Sequence, residues 1–192
     1  MKNTREQLIS KAMDLFRSEG FGNVTIERIC KECDVTKGSF YHHFQSKSDI
    51  ITSYLAKEQN HYLSIAEKII NVKKASAQLW MVLEHGIDRV AGLGPDIFKH
   101  HLLNNINQGF GNTILDFFIG NREDILEYHK LANSIIEKGQ ADSEIRRKPA
   151  KDLSFAFFSG FLGILTGWCV ANAAVDIKAD AKKLFEVVFI SD

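Results

Sequence analysis

The sequence predicts an all-α fold, on three observations. Proline occurs only twice in 192 residues, so helices run uninterrupted. Apolar residues recur at helical spacing, as in Leu8, Ala12, Leu15 and Phe16. Helix-starting and helix-stopping residues punctuate the chain, with Thr25, Thr36 and Ser46 as starts and Gly20 and Gly139 as stops. Apolar content of 45% and charged content of 25% describe a globular chain, long enough to bury a core in one large or two small domains.

The first helix opens on a capping box of Thr4 and Gln7, carries the Leu8–Phe16 stripe and stops at Gly20. Phe21 and Val24 in the following connection are placed to plug a small core. Lys2 and Arg5 read equally as phosphate contacts or as a solvated helix end. Thr25 caps a second helix bearing Ile26, Ile29 and Cys33, and Asp34, a residue that tolerates the left-handed region, ends it. Thr36 caps a third helix over residues 37–44. Ser46 opens a fourth, with Asp49 near its positive end. Two short helices around a tight corner form a helix–turn–helix.

In the third helix, Phe40 and Phe44 lie one turn apart on a face that locks onto the preceding helices. Gly38, Tyr41 and His42 fall on the opposite side, with Lys37, Ser39 and His43 on the flanks. Glycine in mid-helix costs about 1 kcal/mol against alanine; here its smallness permits close approach to another surface. Lys47 sits at a helix N-terminus, where an anion such as phosphate is favoured. The exposed residues are of the kind that meet phosphates and base edges.

These positions resemble the TetR family of bacterial transcriptional regulators. The pattern is Phe21-Gly22, Val24-Thr25-Ile26, Ile29, Val35 to Tyr41, and Phe44 with Ser46-Lys47. It covers roughly the first 50 residues; the rest is similar only in length, helicity and the layout of the last two helices. Cys30, Cys33 and Asp34 depart from the small residues the family often has there. The resemblance implies an N-terminal three-helix DNA-binding domain, residues 1–48, and a C-terminal helical ligand-binding and dimerisation domain, residues 49–192. It implies DNA contacts by Thr25, Arg28, Thr36, Lys37, Gly38, Ser39, Tyr41, His42, His43 and Lys47. It implies a homodimer through the helices at about 149–190 that binds a double-stranded operator and is released by a small-molecule effector. An activator or a ligand-independent regulator of the same family is the alternative.

Charge agrees in sign. Residues 1–48 hold 8 Lys and Arg against 6 Asp and Glu, a net +2, while the remainder holds 16 against 18, a net −2. So small an excess implies modest non-specific affinity and reliance on a dimer. No Gly-x-Ser-x-Gly, P-loop or His-Glu-x-x-His occurs, so no enzyme, cofactor or metal is expected.

From Ser46 to Ile70 the pattern is that of one long helix linking the reading unit to the rest. Further helices are expected near 75–90, 95–105 and 121–138, with Pro95 after Gly94 marking a start. Residues 107–120 are the least regular and could flank a pocket. Residues 153–175 carry no charge over 23 positions, which qualifies by length as a membrane span. Ser154, Ser159, Thr166 and Asn172 and the lack of flanking charge asymmetry favour a buried dimer helix instead. Its Gly160, Gly163 and Gly167 permit close approach, and a second amphipathic helix follows with Ala181, Leu184, Phe185, Val188 and Phe189. No signal-peptide pattern stands at the start, so a cytoplasmic protein without a membrane partner is expected.

Cys30-x-x-Cys33 has redox spacing but lies on a helix; small buried residues are the favoured reading over a thiol sensor. His85, His100 and His101, with Asp88 or Asp96, show no diagnostic metal spacing. Trp80, His85, Phe98, His101, Phe117 and Trp168 are candidates for lining an apolar effector site.

Overall fold

The computed structural model describes residues 3–59, 62–107, 123–171 and 174–190. Its helices are α1 (Thr4–Glu19), α2 (Ile26–Cys33), α3 (Lys37–His43), α4 (Lys47–Gln59), α5 (Tyr62–Ile69), α6 (Ala75–Ala91), α7 (Pro95–Asn107), α8 (Glu123–Ala141), α9 (Ala150–Val170) and α10 (Ile177–Phe189). Among the described residues the only extended pairing is an isolated antiparallel bridge between Ile145 and Ile190. The expected 46–70 helix appears as α4 and α5, and the irregular stretch expected at 107–120 lies almost wholly outside the described residues.

Local chemistry explains the head, α1–α3. The cap of α1 is Asn3 rather than Thr4: its side chain accepts from the Arg5 amide. Gln7 is not part of a capping box, because its Nε2 reaches across to the Cys33 carbonyl at 3.3 Å. Thr25 Oγ1 accepts from Arg28 N at 3.1 Å and Thr36 Oγ1 from Ser39 N at 3.2 Å, as expected of N-caps. Asp34 takes φ 52° and ψ 49°, the left-handed turn that ends α2. Asp49 closes the start of α4, accepting from the amides of Gln45 and Ser46 and from the Ser46 hydroxyl.

Leu8, Ala12, Phe16, Val24, Ile29, Phe40, Ile50 and Ile51 are all buried. The first turns of α4 therefore pack on α1 and belong to the head's core. Arg5 to Ser53 Oγ at 2.8 Å and Arg17 to the Tyr54 hydroxyl at 3.2 Å fasten the same two helices on their exposed side.

In the body, α6 packs on α8 and α10, α9 on α10 and α7, and α7 on α4. The start of α6 is closed by a residue distant in sequence. The Glu144 carboxylate accepts from Ser76 N and Ser76 Oγ, both at 3.0 Å, and these bonds hold its carboxyl below the usual range. Arg146 donates to the Ile190 carbonyl at 3.1 Å and so covers the end of α10.

Gly139 does not stop its helix, which runs on to Ala141. A Cβ at Gly139 would stand 2.6 Å from Ile145 Cδ1 and 3.1 Å from Ala75 Cβ; glycine is there for contact with the returning chain. Gly139→Ala is expected to lower stability by about 1–2 kcal/mol, because crowding outweighs the helical preference for alanine. A urea midpoint at or above that of the parent protein would refute this.

Candidate nucleic-acid interface

The third helix is held from one side only. Phe40 is fully buried and Phe44 nearly so, their rings 5.7 Å apart, on the face that meets α1 and α2. Tyr41 is 54% exposed, its ring edge-on to Phe40 at 5.5 Å. His42 is exposed and His43 half-buried, with ring centroids 5.1 Å apart. A Cβ on Gly38 would meet only Thr36 Oγ1, at 3.7 Å, so the protein's own packing does not demand glycine there. The opposite face of α3 is thus an exposed surface of one hydroxyl-bearing ring, two imidazoles and a bare stretch of backbone.

The remaining expected contacts are distributed around this face with other duties. The Thr25 and Thr36 hydroxyls are occupied as caps, and Ser39 is half-buried. Arg28 is forked between Glu19 at 3.0 Å and Glu32 at 2.8 Å. Lys37 is ion-paired with Glu27.

Lys47 points inward. Its Nζ donates to the carbonyls of Phe21 at 2.5 Å and Val24 at 2.7 Å and stands 4.3 Å from the Phe21 ring centroid. Burial pulls its pKa below the usual lysine value. The α1–α2 connection has non-helical carbonyls that need donors, and Lys47 supplies them from the start of α4.

The same connection is gripped by the body. Asp96 on the first turn of α7 accepts from Phe21 N at 2.9 Å, and the His100 ring lies 4.8 Å from that of Phe21. Cys169 Sγ of α9 is 3.7 Å from the Pro95 carbonyl. Asp96, weighed in the sequence only as a companion to the histidines in a metal site, instead holds this connection, and nothing local marks Glu27 beyond its place in a first helical turn.

The six effector candidates separate. Phe98 and Trp168 are buried with centroids 6.1 Å apart, and His101, one turn along α7 from Phe98, is buried too. Burial pushes the His101 pKa down to about 4, so its imidazole is neutral at pH 7. Trp80 belongs to a different seam, with its ring 5.3 Å from Phe185 and 4.4 Å from Lys182 Nζ. His85 is half-buried on α6, and Phe117 lies outside the described residues. Among the described residues no three His, Cys, Asp or Glu side chains converge as a metal site.

Cys30 and Cys33 are both buried, with Sγ atoms 3.8 Å from the Thr36 carbonyl and 3.9 Å from the Gln7 carbonyl. Burial raises both thiol pKa values, which suppresses the reactive thiolate. Both are expected to resist iodoacetamide in the native protein at neutral pH and to react once it is unfolded. Rapid native labelling read by mass spectrometry would restore the redox reading.

A compact head whose short third helix exposes one face defines a helix–turn–helix protein. Residues 8–54 match the family model of bacterial regulatory proteins, tetR family. Over these residues the chain is similar to that family, whose members are transcription regulators. It is similar to the HTH-type transcriptional regulator YerO of Bacillus subtilis, 34% identical over 73 residues, which are 36% of this chain and 25% of that protein. It is also similar to UidR of Escherichia coli, 33% identical over 61 residues, 32% of this chain and 31% of that one. The match therefore spans only about a quarter to a third of these relatives. The TetC protein of transposon Tn10 from Escherichia coli matches along 98% of this chain and 89% of its own, at 24% identity. In fold, the chain is similar to the fatty acid degradation regulator FadR of Bacillus halodurans, with TM-score 0.65, 15% identity and coverage of 98% and 95%. Thermus thermophilus FadR, a repressor solved with lauroyl-CoA, gives TM-score 0.66 and 17% identity over 96% and 92%.

Proposed function

We propose that this chain is a homodimeric repressor that binds a palindromic operator and is released by a small, largely apolar effector. The observation that carries the DNA-binding part is the exposed face of α3, anchored from behind by Phe40 and Phe44. In this reading residues 1–48, completed by the first turns of α4, form the reading head, and residues 49–192 form the effector and dimerisation body. Thr25, Arg28, Thr36, Lys37, Gly38, Ser39, Tyr41, His42, His43 and Lys47 form or hold the contact surface.

Dimerisation through α9 and α10 is supported by what the subunit leaves uncovered. Phe155 is 72% and Val187 71% exposed. A Cβ at Gly160 would collide with Leu184 of the same subunit, whereas Gly163 and Gly167 have nothing within 4 Å. These two glycines thus lie on a face free to meet a second copy, as small residues do where backbones approach closely. By length and composition α9 could cross a membrane, but its buried face packs on α10 and α7.

Effector binding is assigned to the body near Phe98, His101 and Trp168. An acyl-type ligand is supported by the fold shared with the lauroyl-CoA-bound repressor and by the apolar character of these side chains. The protein then works in the cytoplasm, where its DNA is. Footprinting on DNA flanking the protein's own gene tests the proposal. Two protected half-sites about 34 Å apart, or a multiple, are expected, with protection lost on adding acyl-thioesters. Absence of protection on every fragment at low ionic strength would refute it.

A further inference from the structure

The exposed third helix begins on a lysine that is already engaged. Lys37 is the first residue of α3, and its Nζ is ion-paired with Oε1 of Glu27 on the first turn of α2. The two side chains are 56% and 59% exposed, so the pair serves no core. It crosses the corner between the helices, beside the open backbone at Gly38. Other cations of the head are engaged as well. Arg28 lies between Glu19 and Glu32, Lys11 is 3.7 Å from Glu32, and Lys47 is bound to two carbonyls.

Affinity for DNA of arbitrary sequence comes almost entirely from cations that neutralise phosphates and release counterions. A lysine at the leading end of a groove-binding helix is placed for that role, and a carboxylate beside it opposes the role twice. It occupies the ammonium, and it repels the incoming phosphate. Exposed ion pairs of this kind open readily, so the opposition is graded rather than absolute.

We infer that Glu27 is a negative determinant of sequence-independent DNA binding: it withholds Lys37 from the phosphate backbone and so limits capture of the protein by non-operator DNA. The inference rests on the DNA-binding reading above. A genome offers a vast excess of non-specific sites, so a carboxylate that lowers affinity for all of them leaves more protein for the operator.

The test uses the full-length protein and a random-sequence duplex, titrated by fluorescence anisotropy over a range of salt. Glu27→Gln is expected to bind roughly three- to tenfold tighter than the parent, with a salt slope steeper by about 0.9 per head. Lys37→Gln should bind more weakly than the parent, because it leaves the Glu27 carboxylate uncompensated, and adding Glu27→Gln to it should tighten binding by clearly less than Glu27→Gln does in the parent. Asp14→Asn is the charge-matched control on another face of the head, because its partner Arg17 stays held on Tyr54. Equal tightening by Glu27→Gln and Asp14→Asn, or none by Glu27→Gln, would overturn the inference while the parent's own binding keeps the DNA reading intact. No binding by any of these proteins at low salt would overturn both.

Discussion

Replacing Phe40 with alanine is expected to cost about 3–5 kcal/mol of stability, the range for deleting a fully buried phenyl ring. Phe40 is the one residue of α3 with no exposed surface. The helix is 7 residues long, far below the length at which a helix persists in water on its own propensity. Its order therefore comes from the Phe40 ring against the head core, with Phe44 one turn on as the second anchor. The cavity left by truncation has little chance to collapse, because Phe40 belongs to the same buried core as Phe16 of α1, Val24 of the α1–α2 connection and Ile29 of α2.

A guanidinium titration of the variant should show the midpoint falling sharply, and hydrogen exchange should show the amides of α3 losing protection first. Phe44→Ala is expected to fall in the same direction. A midpoint within experimental error of the parent's would mean that α3 is held by something other than this ring, and the orientation assigned to its outer face would lose its basis.

What could be read from the sequence divides by range. Caps at Thr25 and Thr36, the left-handed turn at Asp34 and the helix stop at Gly20, which takes a positive φ, are legible because each depends on residues a few positions away. The inward pair Phe40 and Phe44 was legible because helical period alone places them together. Asn3 in place of Thr4 is a one-residue error at a helix start, where two adjacent residues are both suited to cap and Gln7 is engaged elsewhere, on the Cys33 carbonyl.

Contacts from far along the chain were not legible. Gly139 looked like a helix stop, yet its partner is the Ile145 side chain on the returning strand of chain. Glu144 closes α6 from 68 positions away. Lys47 looked like a free cation at a helix N-terminus, but the carbonyls that hold it come from a turn 23 and 26 positions earlier. The pairing of Lys37 with Glu27 and the forked Arg28 depend likewise on how three short helices are set against one another. Small residues such as Gly160, Gly163 and Gly167 looked equivalent by spacing; only the packed fold shows that the first faces Leu184 and the others face outward.

Truncating the outer face of α3 should separate binding from folding. Tyr41→Ala and His42→Ala remove side chains that the fold does not need, so each is expected to shift stability by no more than about 0.5 kcal/mol. Base-edge and groove contacts are worth roughly 1–3 kcal/mol each, and the proposed dimer would make every such contact twice. The double variant is therefore expected to lose at least several hundredfold in operator affinity, with a salt slope little changed, since neither side chain carries a lysine-like charge. That pattern is the reverse of the one expected at Glu27, where the slope moves and sequence preference does not. Operator affinity within twofold of the parent's, measured on a footprinted site, would show that the exposed face of α3 is not the reading surface. The inward burial of Phe40 would then be explained as packing alone.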